Sequence, residues 1–317
     1  MAAEALSARP WWPAAKRSLT LLFFGAVIVL LARQARTVDW PAVLQSIRAY
    51  PVTTLLSAAA LAAASHAVYC TYDLIGRHQT GHRLSGKRVA GIGFVSYAFN
   101  LNLGALVGGF AFRFRLYSRR GLAPEVITQI LVLSLLTNWL GYLFVGGLVF
   151  VLHPIALPPE WKIDSAGLRI VGAGMLAAAL AYLALCRLSK RRTLLWRGRT
   201  VRLPSARLAA LQLGASASNW LLIGAVVYQL LPRALPYPDV LSVLLVAAIA
   251  GVIAHVPAGL GVLEAVFVAL LSHRVAAGEL LAALIVYRAL YYLVPLALAT
   301  TLFLAFDRRA AGAATQA

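Results

Sequence analysis

Glu264 and Arg288 are the two charges this chain sets most deeply into apolar sequence. Glu264 opens an apolar run that reaches Leu271, and Arg288 lies inside the apolar stretch 279–306. A lone charge in hydrocarbon costs about 2.5–3.5 kcal/mol on insertion scales. Each must therefore face protein, its counterpart or a hydrated cavity. A guanidinium grips a phosphodiester in bidentate fashion, and a carboxylate suits an amino headgroup or a coupling proton. The pair reads as the wall of a polar site at mid-depth, or as an ion pair that only fixes packing. Tyr287, Tyr291 and Tyr292 lie on the Arg288 helix, and the last two share its face. His255 precedes Pro257, Gly259 and Gly261, which together cannot continue a regular helix. Asn100, Asn102, Asn138 and Asn219 are amides in otherwise apolar stretches, each also readable as an interhelical hydrogen bond. Arg113 and Arg115 suit lipid phosphate at a membrane surface, or simply mark topology.

The elements that position these residues must be membrane helices. Of 317 residues, 61% are hydrophobic and only 12% charged, with mean hydropathy +0.80, whereas a soluble domain carries roughly 25% charged residues. Apolar runs such as Leu21–Leu31, Val52–Val68, Leu168–Cys186 and Val240–Ala254 recur along the chain. The expected class is all-α, a single polytopic membrane domain with no soluble catalytic module. A net charge of +19 would fit a nucleic-acid binder, but basic residues also collect in the cytoplasmic loops of membrane proteins; no nucleic-acid partner is expected. Cys70 and Cys186 sit in apolar segments, which argues against a disulfide framework, and the six histidines are scattered, with one HxxxH pair, His78 and His82, that has no clustered third ligand beside it. No cofactor is implied. Gly259–Glu264 follows no strand, and Ser85-Gly-Lys-Arg88 lacks the rest of a phosphate loop, so no enzyme is expected.

Charge sets the topology. The N-terminus, residues 77–88, 113–120 and 187–207, and the tail hold 21 of the 29 basic residues. They are read as cytoplasmic, with both termini on that side of a bacterial cytoplasmic membrane. Loops 77–88 and 113–120 stay on one side only if residues 89–112 dip in and turn back, around Gly104, Gly108 and Gly109; the alternative is a plain span with an exceptionally basic loop on the outside. Arms of about 12 residues would reach roughly 18 Å, halfway through the hydrocarbon. A second hairpin is expected at 240–273, entering from the opposite face and turning at Pro257, Gly259 and Gly261. Six full spans follow at about 18–34, 51–75, 124–152, 168–186, 208–231 and 279–306, and residues 37–49 form an interfacial amphipathic helix. Opposed re-entrant hairpins are what an inverted duplication produces. Gly108…Arg113 and Gly259…Glu264 repeat a glycine five residues before a charge, and Asn138-Trp-Leu-Gly-Tyr142 aligns with Arg288-Ala-Leu-Tyr-Tyr292. The expected repeat halves are about 51–152 and 208–306.

Ile253-Ala-His-Val-Pro-Ala-Gly-Leu-Gly-Val-Leu-Glu-Ala-Val-Phe267, followed by Tyr287-Arg-Ala-Leu-Tyr-Tyr-Leu-Val-Pro295, resembles the lysylphosphatidylglycerol synthase transmembrane family. Tyr97-Ala-Phe-Asn-Leu-Asn102, Phe112-Arg-Phe-Arg-Leu-Tyr-Ser118, Thr137-Asn-Trp-Leu-Gly-Tyr142 and Ser218-Asn-Trp220 extend the likeness over residues 15–306. That family includes the flippase half of the multiple peptide resistance factor. The resemblance implies a lipid-translocation domain with broken helices around a polar cavity, acting on membrane phospholipids or a lipid-linked headgroup. It does not imply lysyl transfer, which that factor carries in a separate soluble domain. The other class the sequence leaves open is a non-transporting scaffold or regulator, partnered with a lipid-synthesis enzyme.

Overall fold

The computed structural model describes residues 40–158, 161, 164–189, 193–196, 199–254 and 256–315. The expected first span (18–34) and His255 lie outside them. Lipid leaves backbone polar groups nothing to bond to, and helices satisfy them within the segment. The chain is accordingly helical. The elements are α1 (Trp40–Arg48), α2 (Val52–Thr80), α3 (Gly86–Gly104), a π-helical segment (Ala105–Ala111), α4 (Phe112–Ser118), α5 (Pro124–Leu152) and α6 (Ser165–Leu188). They continue with α7 (Ala206–Leu230), α8 (Tyr237–Ala254), a 3₁₀ turn (Pro257–Gly259), α9 (Val262–Leu271), α10 (Ala277–Arg288), a second π segment (Ala289–Leu293) and α11 (Val294–Thr315). The exception among the described residues is a short antiparallel hairpin in the basic loop, β1 (Thr193–Trp196) with β2 (Arg199–Arg202), pairing Thr193 with Arg202.

Helix ends follow local chemistry. Pro124 opens α5, with Glu125 in its first turn against the positive end of the dipole. Asp164 caps α6 by accepting from Gly167 N–H at 2.7 Å, and Ser205 caps α7 by accepting from Leu208 N–H at 3.2 Å. Six stretches are long and apolar enough to cross a membrane: Val52–Thr80, Pro124–Leu152, Ser165–Leu188, Ala206–Leu230, Tyr237–Ala254 and Ala277–Phe306. Five coincide with expected spans. The sixth, α8, was expected as a half-length arm; its helix begins at Tyr237, and 18 residues cover about 27 Å at 1.5 Å per residue.

α2 and α7 run antiparallel along the middle of the bundle, joined by Tyr50 Oη to Leu230 O, Gln229 Nε2 to Ser57 Oγ at 2.9 Å, and Ser65 Oγ to Asn219 Oδ1 at 2.7 Å. α5 crosses α7 at Gly141, where an added Cβ would stand 2.1 Å from Ser216 Oγ. Small residues are what permit such contact between membrane helices.

Two helical hairpins fill the remaining space. In the first, α3 ends at Gly104, whose φ of +82° reverses the chain. The return arm packs back on α3: Phe112 stacks on Phe99 at 4.0 Å, and Asn100 Oδ1 lies against Gly109. Gly108 and Gly109, expected to make the turn, therefore sit beyond it, and the first arm is 19 residues rather than about 12. Their role is close approach. A Cβ on Gly108 would fall 2.1 Å from the Phe99 carbonyl oxygen. In the second hairpin, α8 and α9 are joined through Ala258, Gly259 and Gly261, all at positive φ. Its mouth is closed by the ion pair of Asp239 with Arg274. The first hairpin opens beside Arg77 and Phe306, at the Thr80 end of α2. The second opens beside Tyr228, at the opposite end.

Gly108→Ala should lower the melting temperature markedly, because the new methyl meets backbone. Gly174→Ala, which meets nothing within 4 Å, should leave it unchanged or raise it through helix propensity worth about 0.8–1.0 kcal/mol. Thermal unfolding of the detergent-solubilised protein, followed by size exclusion, checks both.

Candidate functional site

The tips of the two hairpins meet in the middle of the bundle, and most of the residues singled out from sequence gather around two charge pairs, one at the tips and one nearer the mouth of the first hairpin. Glu264, in the first turn of α9, bonds Arg288, the last residue of α10, through both carboxylate oxygens, Nη2 reaching Oε2 at 3.0 Å. Arg288 Nη1 also donates to Ala258 O at 3.1 Å, and Nη2 to Gly259 O at 3.0 Å. Glu264 Oε2 accepts from Gly261 N–H at 2.9 Å. The backbone groups left over by the break at Ala258–Gly261 are thus met by the two charged side chains. Both are mostly buried, with 13% of the Arg288 side chain and 19% of the Glu264 side chain exposed. Arg288 also lies over the Tyr292 ring at 5.4 Å.

Arg113, read from sequence as a surface cation, is buried. It lies on α4 and faces Asp73 of α2, with Nε to Oδ2 at 3.1 Å. Nη2 stands 2.9 Å from Oδ1 as an ion contact without hydrogen-bond alignment. Tyr117 Oη donates to Asp73 Oδ2 at 2.9 Å. Asp73 is fully buried, so this pair is better shielded than the other. Sequence reasoning missed Asp73, although its place within the expected span 51–75 was a usable signal.

Aromatic and hydroxyl groups bridge the pairs. Arg113 lies 5.9 Å from the Tyr69 ring centroid, Tyr69 stacks on Tyr97 at 3.5 Å, and Tyr97 Oη bonds Tyr291 Oη at 2.9 Å. Tyr291 Oη also bonds Ser65 Oγ at 2.7 Å, and the Tyr291 ring adjoins those of Tyr287 and Tyr292. Asn102 Nδ2 donates to Tyr292 O at 3.2 Å and ties the first hairpin's tip to the second π segment. His66, also missed, packs between Tyr97 and Tyr291 with Nδ1 on Ala62 O and Nε2 without a partner among the described residues. Tyr72 Oη and Asn219 Nδ2 are buried and unbonded there too, Tyr72 facing Ser216 and Asn219 without hydrogen-bond geometry.

The structure thus gathers Glu264, Arg288, Tyr287, Tyr291, Tyr292 and Asn102. It places Arg113 in the second pair, Asn100 inside the first hairpin, and Asn138 at the α5–α7 crossing, where its carbonyl accepts from Ser216 Oγ at 3.1 Å and Trp220 Nε1 at 3.2 Å. Among the described residues no group of three or more His, Cys, Asp or Glu side chains is placed to hold a metal. Broken helices, two interior ion pairs and a tyrosine seam define a polytopic helical membrane protein with a polar centre. Residues 18–299 match the family described as "Lysylphosphatidylglycerol synthase TM region", and the chain belongs to that family. It is 46% identical over 302 residues to "Inner membrane protein YbhN" of Escherichia coli strain K12, covering 95% of each chain. It is 32% identical over 271 residues to "Uncharacterized protein slr0712" of a Synechocystis strain, covering 84% of each.

Removing one partner of a buried ion pair leaves the other charge uncompensated and costs about 3–5 kcal/mol. Asp73→Asn should destabilise the protein on that scale, and Asp73→Asn combined with Arg113→Gln should recover a large part of the loss. Denaturation of both variants in detergent measures the difference.

Proposed function

We propose that the protein moves a phospholipid, or a lipid-linked headgroup, between the leaflets of a bacterial inner membrane. The observation that carries this reading is the seam itself: an ion pair where the tips of two broken-helix hairpins meet, a second buried pair nearer the mouth of the first hairpin, and the tyrosine hydroxyls and rings that join them. Intramembrane charge is costly and concentrates where polar cargo passes. Membership of a family described by a lipid-synthase membrane region supports a lipid-related role, and the inner-membrane relative supports the location. In this reading both hairpins are re-entrant, the halves are an inverted repeat, and the basic loops and both termini face the cytoplasm. The Arg288–Glu264 contact is the closed state. A lipid phosphate takes over the bidentate site on Arg288, releasing Glu264 to meet an amino headgroup or a proton.

One observation favours a second reading. Arg288 spends most of its donors on Glu264 and on Ala258 O and Gly259 O, as a structural latch in a scaffold or regulator of a lipid-synthesis enzyme would.

Reconstitution with fluorescent lipids separates the two. The translocase reading expects leaflet exchange above that of empty vesicles, and a loss of about tenfold or more in Arg288→Ala protein that still folds. No acceleration for any headgroup, or an unchanged rate in the folded variant, would sink it. Topology has its own check: cysteines placed at Leu84 and Ser118 should label from the same side of the membrane. Labelling from opposite sides removes the first re-entrant hairpin.

A further inference from the structure

At the end of the bundle opposite the basic loops, a cleft of about 690 Å³ opens between α1, the start of α2, the end of α7 and the start of α10. Its size falls within the roughly 300–1,000 Å³ typical of ligand sites, but its walls differ from the usual apolar lining. Ser46, Tyr50, Thr54, Gln229, Arg233 and Glu279 all face it. Arg233 and Glu279 carry opposite charges in one cleft, yet they make no ion pair with each other or with another side chain among the described residues. The carboxylate is still felt: burial and the nearby Glu279 push the Tyr50 hydroxyl up to about 12. One wall is α1, which buries Val43 and leaves Leu44 half exposed. An amphipathic helix of that kind lies at the boundary between headgroups and acyl chains, so the cleft sits at headgroup depth.

We propose that this cleft binds a group carrying a phosphate and a primary ammonium together, with Glu279 receiving the ammonium and Arg233 the phosphate. Polar walls and two unspent charges of opposite sign fit a zwitterionic headgroup better than a purely anionic one. The apolar part of the lining, Leu230, Leu231 and Pro232 among it, is short, and acyl tails remain in lipid beside α1. The cleft is a loading or release site on the face away from the basic loops. Its role as a station on a transport path rests on the translocase reading, while the binding chemistry does not.

The test measures binding of dihexanoyl-phosphatidylethanolamine, dihexanoyl-phosphatidylglycerol and free phosphoethanolamine to the purified full chain by calorimetry. The expected result is a preference for the ethanolamine lipid of about two- to fivefold, the scale of a solvent-exposed ion pair. Glu279→Gln should abolish the preference, Glu279→Lys should reverse it towards the glycerol lipid, and Arg233→Gln should weaken both lipids alike. Binding of free phosphoethanolamine with the same Glu279 dependence assigns recognition to the headgroup alone; binding of the lipid only assigns it to a headgroup held at the membrane surface. Equal affinity for both lipids in the wild type, or a preference that survives Glu279→Gln, overturns the proposal. Leaflet exchange measured on the same preparations keeps the readings apart. Absent exchange with intact ethanolamine preference defeats the translocase and leaves the site, and the converse defeats the site alone.

Discussion

A helix broken in the middle of a membrane protein leaves backbone donors and acceptors that lipid cannot satisfy, at several kcal/mol for each unmet group. The break at Ala258–Gly261 answers this with charge. Arg288 covers the carbonyls of Ala258 and Gly259, while Glu264 takes the Gly261 N–H and neutralises the guanidinium. A neutral side chain would offer fewer donors. A lone arginine would close the backbone account but leave a charge without a counterion. The pair therefore fixes where α9 meets α10, and from that position the face bearing Tyr287, Tyr291 and Tyr292 is set against α2 and α3.

The first hairpin solves its turn differently. Gly104 reverses the chain through its own conformational freedom, and Gly108 lets the return arm lie on the Phe99–Asn100 backbone. Backbone meets backbone, and no charge is needed at the tip. Its ion pair sits near the mouth instead, where Arg113 meets Asp73 and Tyr117. The polarity is also exchanged: the first hairpin contributes the cation and the second the anion. Two π-helical segments lie at this level, Ala105–Ala111 just past the first hairpin's turn and Ala289–Leu293 just past Arg288, a geometry that frequently marks functional sites.

How much of this was legible depended on whether a residue contradicted its own surroundings. Glu264 and Arg288 stood out because long apolar sequence on at least one side makes a charge anomalous, and their pairing follows from cost. Pro257, Gly259 and Gly261 marked their turn because proline and glycine act locally. Asp73 did not stand out, since Arg77 follows within one turn and the segment reads as the polar end of a span. Arg113 was hidden among three other arginines of a basic loop, and burial is not a property of composition. Gly104 was one of three glycines read into the first hairpin's turn, and composition alone could not separate it from Gly108-Gly109, which serve packing instead. His66 and Ser65, in an alanine-rich stretch, acquire meaning only when α3 and the second π segment are brought against them.

The strengths of the contacts in the seam divide the molecule into bodies. Within the second hairpin and α10, charge-assisted bonds converge on Arg288, and such bonds are worth roughly 1.5–3 kcal/mol each. Between the first hairpin and the π segment that continues α10 the links are neutral, Asn102 to Tyr292 O and Tyr97 to Tyr291, each worth about 0.5–1.5 kcal/mol net. Any motion that separates these bodies thus parts the tyrosine seam first, before any exchange of partners at the Arg288–Glu264 latch. The parted surface is the one lined by Tyr97, Tyr291, Ser65, His66 and Asn219, of which the His66 and Asn219 side chains already hold unbonded polar atoms. Opening would expose those groups together, beside the ring of Tyr291, while the broken backbone stays satisfied.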